Sequence, residues 1–240
     1  MDSAATTGLS AIKAGRRFVA GLRDHLLPQD SLAFEKLSAV ISPYFRSKRM
    51  SKFVSLFSPT ERTKILDVGG YPAFWNEGPV RSKITIINTH VPNLSPSDRQ
   101  NYDFVAGDAR SLPFPDNAFD IGFSNSVIEH LFTHEDQMRA AEEIQRVSKH
   151  IWVQTPAKWF PVETHLKTPL IHYLPIPWRR KLIRHFTVWG WLSKPTPEDI
   201  DAFLKEVQLL TYKDMRSLFT DCKIVEESFL FLTKSYVAIK

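Results

Sequence analysis

From Lys64 onward the chain alternates short apolar runs with polar or helix-periodic stretches. The runs are "KILDV" (64–68), "ITIIN" (84–88), "DFVAG" (103–107), "FDIGFS" (119–124) and "HIWVQT" (150–155). They are near-continuous in β-branched and aromatic residues, as expected of parallel strands covered on both faces and joined by crossovers. Between the fourth and fifth runs, "EDQMRAAEEIQRVSK" (135–149) has helical period, with Met138, Ala141, Ile144 and Val147 on its apolar face. The 89–102 connection is rich in Pro and Asn and less clearly helical. After the fifth run a helix, "YKDMRSLFT" (212–220), leads to two closing strands, "CKIVEESFLF" (222–231) and "KSYVAIK" (234–240). The pattern predicts an α/β fold: a mostly parallel seven-stranded sheet flanked by helices, with a closing antiparallel strand pair.

Two regions lie outside that rhythm. Residues 1–60 read as an N-terminal helical flank. Ile12, Val19, Leu22 and Leu26 recur at helical spacing, and a second helix starts near Asp30 or Ser31 and carries Leu32, Phe34, Leu37, Val40 and Ile41. The main domain then runs 61–240, interrupted after strand five by an insertion at 156–200. That insertion holds seven prolines and four of the six tryptophans. It is too proline-rich for one long helix and too aromatic for a solvated linker. It reads as a cap packed over something.

Charge sharpens the picture of the cap. The net charge is +5, but 157–194 alone carries seven Lys or Arg against one acid, Glu163. The basicity is local, so a nucleic-acid-binding face spread over the fold is disfavoured. In "PWRRKLIRHFTVWGW" (177–191), cations interleaved with tryptophan suit an anionic substrate or a peripheral membrane contact through 178–191, with Leu182, Ile183, Phe186 and Trp189 toward lipid. The other reading is a basic-faced lid with its aromatics on the core. One cysteine, Cys222, excludes an internal disulfide, and a reducing cytoplasm fits. No apolar run approaches the roughly 20 residues that span a bilayer, and the N-terminus lacks a signal-peptide core.

Candidate chemistry gathers at strand ends. Asp67, Gly69 and Gly70 follow strand one, Asn88 ends strand two, Asp108 follows strand three, Ser124, Asn125 and Ser126 follow strand four, and Thr155 ends strand five. Ligands of open parallel sheets bind there. A dinucleotide fingerprint G-x-G-x-x-G would need glycine where Tyr71 and Phe74 stand, and no G-K-[ST] phosphate loop occurs.

"ILDVGGYPAFW" (65–75) and "GDARSLPFPDNAFDIGFSNSVIEHL" (107–131) together resemble the class I S-adenosylmethionine-dependent methyltransferases, specifically the methyltransferase type 11 group. The resemblance runs from Lys64 to about Thr155. It implies a Rossmann-like sheet and S-adenosyl-L-methionine as cofactor. Gly69 and Gly70 would let the backbone pass under the methionine part, Asp67 would lie near its ammonium group, and Tyr71 would wall that pocket. Asp108 would accept from the adenine amino group, with Ala109 against the ring, and Ser124 and Asn125 would line the sulfonium end. The group usually ends strand two with an acid on the ribose hydroxyls, where this chain has Asn88. The loss of that charge-assisted bond predicts weaker cofactor binding, by about 1 kcal/mol.

The resemblance implies methyl transfer by direct displacement to a small-molecule, lipid-linked or sugar acceptor. His130, Glu163 and His165 are the candidate catalytic residues, a base being useful for a hydroxyl or an acidic carbon. Their spacing does not diagnose a metal site, and none is assigned. RNA is further disfavoured because Ser124-Asn125-Ser126-Val127 stands where an Asn-Pro-Pro-Tyr-type tetrad would hold a base amine. The competing reading is a non-catalytic relative that keeps the fold for binding or scaffolding, suggested by Tyr71, Ala73 and Asn88.

Overall fold

The computed structural model describes residues 32–76, 78–90 and 94–240, with side chains of the first helix described from Phe45. The flank signals at Ile12, Val19, Leu22 and Leu26, and the side chains of Leu32 to Ile41, lie outside the described residues. In chain order come α1 (Leu32–Phe57), β1 (Lys64–Val68), α2 (Pro72–Asn76), β2 (Lys83–Asn88), α3 (Pro96–Asn101), β3 (Tyr102–Ala106), β4 (Phe119–Asn125), α4 (His134–Val147) and β5 (Ser148–Pro156). Then follow β6 (Val162–Glu163), β7 (Thr168–Pro169), α5 (Ile176–Phe186), α6 (Val188–Ser193), α7 (Pro197–Glu206), α8 (Tyr212–Leu218), β8 (Lys223–Phe229) and β9 (Leu232–Ile239). The described residues form two compact units, 37–160 with 208–240, and 161–207 with 32–36.

The larger unit is a seven-stranded sheet in the order β3-β2-β1-β4-β5-β9-β8. β1 to β5 are parallel, and β9 is antiparallel to both β5 and β8. The architecture is Rossmann-like. Each predicted run is a strand, because each is apolar on both faces: in β1, Ile65 packs with Ile84, Ile86, Phe123 and Trp152, while Leu66 and Val68 pack with Ile144, Ile151 and Val153. Phe53, fully buried on α1, meets Trp75, Phe123 and Trp152 edge-on at ring-centroid distances of 5.9, 5.3 and 6.0 Å. Phe53→Ala is therefore expected to cost about 3–5 kcal/mol, read as a lower midpoint in urea denaturation.

The helix expected at 135–149 is α4, but its buried face is rotated. Met138 is exposed, and Gln137 is buried in its place. The Gln137 amide donates to the carbonyls of Ile128 and Gln208, at 3.2 Å each, which satisfies a polar group that periodicity alone would send to solvent.

The 161–207 unit has its own core: Leu166, Ile171, Ile183, Trp189, Ile200 and Phe203. Its helices begin at prolines in two places rather than being broken by them. Proline lies in the first turn of α5 and of α7, where the missing N–H has no partner to lose. Thr196 and Asp199 close a capping box on α7. This corrects the lipid-facing set of the sequence reading, since Ile183 is 0% and Trp189 6% exposed, and both are committed to this core. Leu182 is partly buried against it, while Trp178, Phe186 and Trp191 are each 63% exposed. Among the described residues no helix is long and apolar enough to cross a membrane.

Candidate active site

The strand order reverses between β1 and β4, which opens a crevice at their carboxyl ends. The chain leaves β1 through Asp67, Gly69 and Gly70. Asp67 is 1% exposed, and its Oδ2 accepts the Trp75 indole N–H at 2.7 Å. Trp75, carried by α2 in the core, thus fixes the carboxylate. Gly69 has φ +75°, and a Cβ there would lie 2.6 Å from a Val127 methyl. A Cβ on Gly70 would fall 1.6 Å from Asp67 Oδ2. The turn is therefore bare backbone by necessity. Tyr71 follows, half-buried, its carbonyl accepting the Phe74 amide at 3.1 Å.

Neighbouring strand ends are tied to this turn. Asn88 Nδ2 donates to the Gly70 carbonyl at 3.4 Å, and its Oδ1 accepts the Thr89 amide at 2.8 Å. An acid at 88 could not make the first of these bonds. Ser124 is buried and donates to the Val68 carbonyl at 3.1 Å, fastening β4 to β1. Asn125 Oδ1 accepts from Arg49 at 3.2 Å, and Arg49, 8% exposed, is itself held by Glu227 at 2.7 Å and Ser235 at 3.2 Å. Ser126 takes φ +56°, fixed by its amide to the Gln154 carbonyl (2.9 Å) and its hydroxyl to Gln154 Oε1 (3.0 Å).

Asp108 follows β3. Arg110 grips it through Nε at 3.0 Å and Nη2 at 2.6 Å, and reaches Asp136 through Nη1 at 2.9 Å. The hydrogen bonds it donates to Asp108 and then to Asp136 hold the Arg110 guanidinium above its ordinary value although burial opposes this. Ala109 packs against the core. The rest of the loop is fastened to α4: Glu143 accepts the Leu112 amide at 2.6 Å, and Arg146 donates to the Leu112 and Phe114 carbonyls at 3.1 and 2.8 Å.

Beyond β4, Ile128–His130 form a 3-10 turn. His130 is half-buried, and its amide donates to the Val127 carbonyl at 2.9 Å. Glu129 is 0% exposed and accepts the Thr155 hydroxyl at 2.9 Å. In the 161–207 unit, Glu163 is 3% exposed; its Oε1 lies 2.7 Å from His165 Nδ1, and its Oε2 accepts the Leu166 amide. Burial pushes the Glu163 carboxyl up, but the His165 charge and hydrogen bond, the Leu166 amide and His172 together hold it below the usual carboxylate range. Burial pushes the nearby Arg179 guanidinium down, with the Glu163 charge opposing.

Residues 79–150, which include the Asp108 loop, the Asn125 turn and α4, match the family model described as a methyltransferase domain. That stretch, 72 of the 240 residues, carries the methyltransferase domain signature. None of the curated proteins compared matches it. Among solved structures, this methyltransferase is similar to a 1,6-didemethyltoxoflavin-N1-methyltransferase of Burkholderia thailandensis, at 11% identity and TM-score 0.57 over 97% of this chain and 88% of that one. It is also similar to a protein of Rhodobacter sphaeroides titled a putative Zn-dependent alcohol dehydrogenase (12%, TM-score 0.55, 80% and 87%). A putative O-methyltransferase of Nostoc punctiforme gives 14% and TM-score 0.50 over 85% and 58%. At these identities the likeness establishes the fold, not the reaction.

The methyltransferase's residues fit the sulfonium nucleoside. The first turn is a cradle that a Cβ would fill at Gly69 and Gly70, with a fixed carboxylate beside it. Three residues escaped the sequence reading: Arg49, Glu129 and Trp75. Glu129 adjoins His130 in "VIEHL", and its signal was an acid in an otherwise apolar stretch. Arg49 gave no local signal, because its partners are 76 to 186 positions away.

Proposed function

We propose that this methyltransferase moves a methyl group from S-adenosylmethionine to a small-molecule acceptor by direct displacement, with the cofactor held at the β1–β4 switch. The cradle at Gly69 and Gly70 beside the Trp75-fixed Asp67 carries the reading. When bound, the cofactor supplies an electrophilic methyl on a good leaving group. The chain's own part is to bind, align and exclude water. Asp67 would face the ammonium group and Tyr71 would wall its pocket. Asn88 would offer its amide to the ribose hydroxyls, Asp108 would accept from the adenine amine with Ala109 on the ring, and Ser124 and Asn125 would border the sulfonium. The bidentate grip of Arg110 on Asp108 supports a positioning role for that arginine.

His165, oriented by Glu163, is proposed as the base that takes the acceptor's proton, with His130 the second candidate. The acceptor class extends to lipid-linked compounds and sugars, and the basic, aromatic 161–207 unit favours an anionic one. The Burkholderia neighbour has bound 1,6-didemethyltoxoflavin and S-adenosylhomocysteine, and a small-molecule acceptor beside the cofactor is adopted here by analogy.

Calorimetric titration with S-adenosylhomocysteine tests the site. Asp108→Ala should weaken binding about 10- to 100-fold, as loss of a charge-assisted bond to the ligand would, with a nearly unchanged melting temperature. No binding to the wild type at millimolar ligand would overturn the proposal.

A further inference from the structure

The hairpin joining β8 to β9 ends in four consecutive apolar residues, Phe229, Leu230, Phe231 and Leu232. Leu230 is 73% exposed and Phe231 102%, with Phe229 and Leu232 at 40% and 48%. Phe229 pairs with Leu232, so Leu230 and Phe231 form the two-residue loop. Their φ angles are +48° and +68°. Two positive φ values mark the I′ turn, which favours Asn-Gly and penalises bulky side chains. The chain thus accepts backbone strain to hold at a tip the two most exposed large apolar side chains among the described residues.

The base of this hairpin adjoins α1. Phe45 meets Phe229 edge-on at 5.5 Å, and Lys234 Nζ lies 3.3 Å from the Phe45 ring centroid. From Phe45 to Phe57 that helix carries Arg46, Lys48, Arg49 and Lys52 and no acid, and Lys48 and Lys52 are exposed. An apolar wedge next to a helix that exposes Lys48 and Lys52 complements one surface chemistry: acyl chains beneath anionic headgroups.

We propose that the Phe229–Leu232 tip is a membrane anchor, Leu230 and Phe231 inserting into an anionic bilayer while Lys48 and Lys52 meet its headgroups. Single anchors of this size bind reversibly, so contact is peripheral and salt-sensitive. The anchor stands independently of the acceptor and of the residue roles proposed above.

The test is flotation of the full chain with phosphatidylserine–phosphatidylcholine vesicles and with phosphatidylcholine alone. The wild type should float with the anionic vesicles, less so as salt rises. The Leu230→Asn, Phe231→Gly double variant places the favoured pair in the turn, so it should melt no lower than wild type. It should nonetheless lose binding by about ten-fold or more, as removal of two buried apolar side chains from lipid implies. The Lys48→Glu, Lys52→Glu double variant should lose binding to anionic vesicles only. No flotation of the wild type, or undiminished flotation of the Asn-Gly variant, overturns the proposal. So does sedimentation showing a wild-type dimer that the Asn-Gly variant splits, which would make the tip a contact between copies.

Discussion

Gly70→Ala is expected to remove cofactor binding while leaving a folded protein. The new methyl carbon would sit 1.6 Å from Asp67 Oδ2, so the carboxylate has to move. It is short, 1% exposed and bonded at that same oxygen to the Trp75 indole. Swinging it aside breaks that bond and leaves a buried donor unmet, a cost of about 1–3 kcal/mol. The displaced carboxylate and the added methyl both fall where the methionine end of the cofactor would lie. Affinity for S-adenosylhomocysteine should therefore drop by about 100-fold or more, as steric filling of a cradle together with the loss of one charged contact implies. Denaturant midpoints should show only the smaller stability loss. Trp75→Phe is the companion, since it deletes the indole N–H without adding bulk and should weaken binding less than Gly70→Ala. Wild-type affinity in Gly70→Ala would show that the turn does not hold the ligand.

The sheet was legible because each parallel strand is covered on both faces. That writes a continuous apolar run into the sequence whatever its neighbours are. The site was legible only where the fold forces a residue type locally. Gly69 needs positive φ, and Gly70 has no room for a Cβ, so both show as glycine. Asp108 shows through the loop pattern around it. Asn88 looked like a loss of binding power; in the fold it is also a donor to the Gly70 carbonyl, a role no acid could fill. Ser124, which the resemblance puts at the sulfonium end, also ties β4 to β1 through the Val68 carbonyl, a partner 56 positions away that no local pattern shows. Met138 and Gln137 exchanged places because two distant carbonyls, of Ile128 and Gln208, made an amide the better buried group. Ile183 and Trp189 looked lipid-facing because nothing local reveals that 161–207 closes a core of its own. Each miss is a long-range partner overriding a short-range signal.

Glu163→Gln is expected to separate the catalytic from the structural worth of the Glu163–His165 pair. Glutamine can still accept the Leu166 amide, but the charge beside His165 is gone. One of the two hydrogen bonds onto a buried carboxylate loses its charge assistance, so stability near pH 7 should fall, on the order of 2 kcal/mol. The carboxyl is held below its ordinary value of 4.5 in the fold. Its contribution is therefore fully present above the ordinary carboxylate range and is lost as pH falls through the depressed value. Urea unfolding at pH 7, 5 and 3 should accordingly show the gap between wild type and Glu163→Gln closing as pH drops. If the pair also prepares His165 as the base, Glu163→Gln and His165→Ala should each lower kcat about 100-fold, the usual reach of a positioned base. The double variant should go no lower, because one function cannot be lost twice, and the cofactor KM should stay nearly constant throughout. A stability loss without a kcat loss would make the pair a strut of the 161–207 unit and pass the base role to His130.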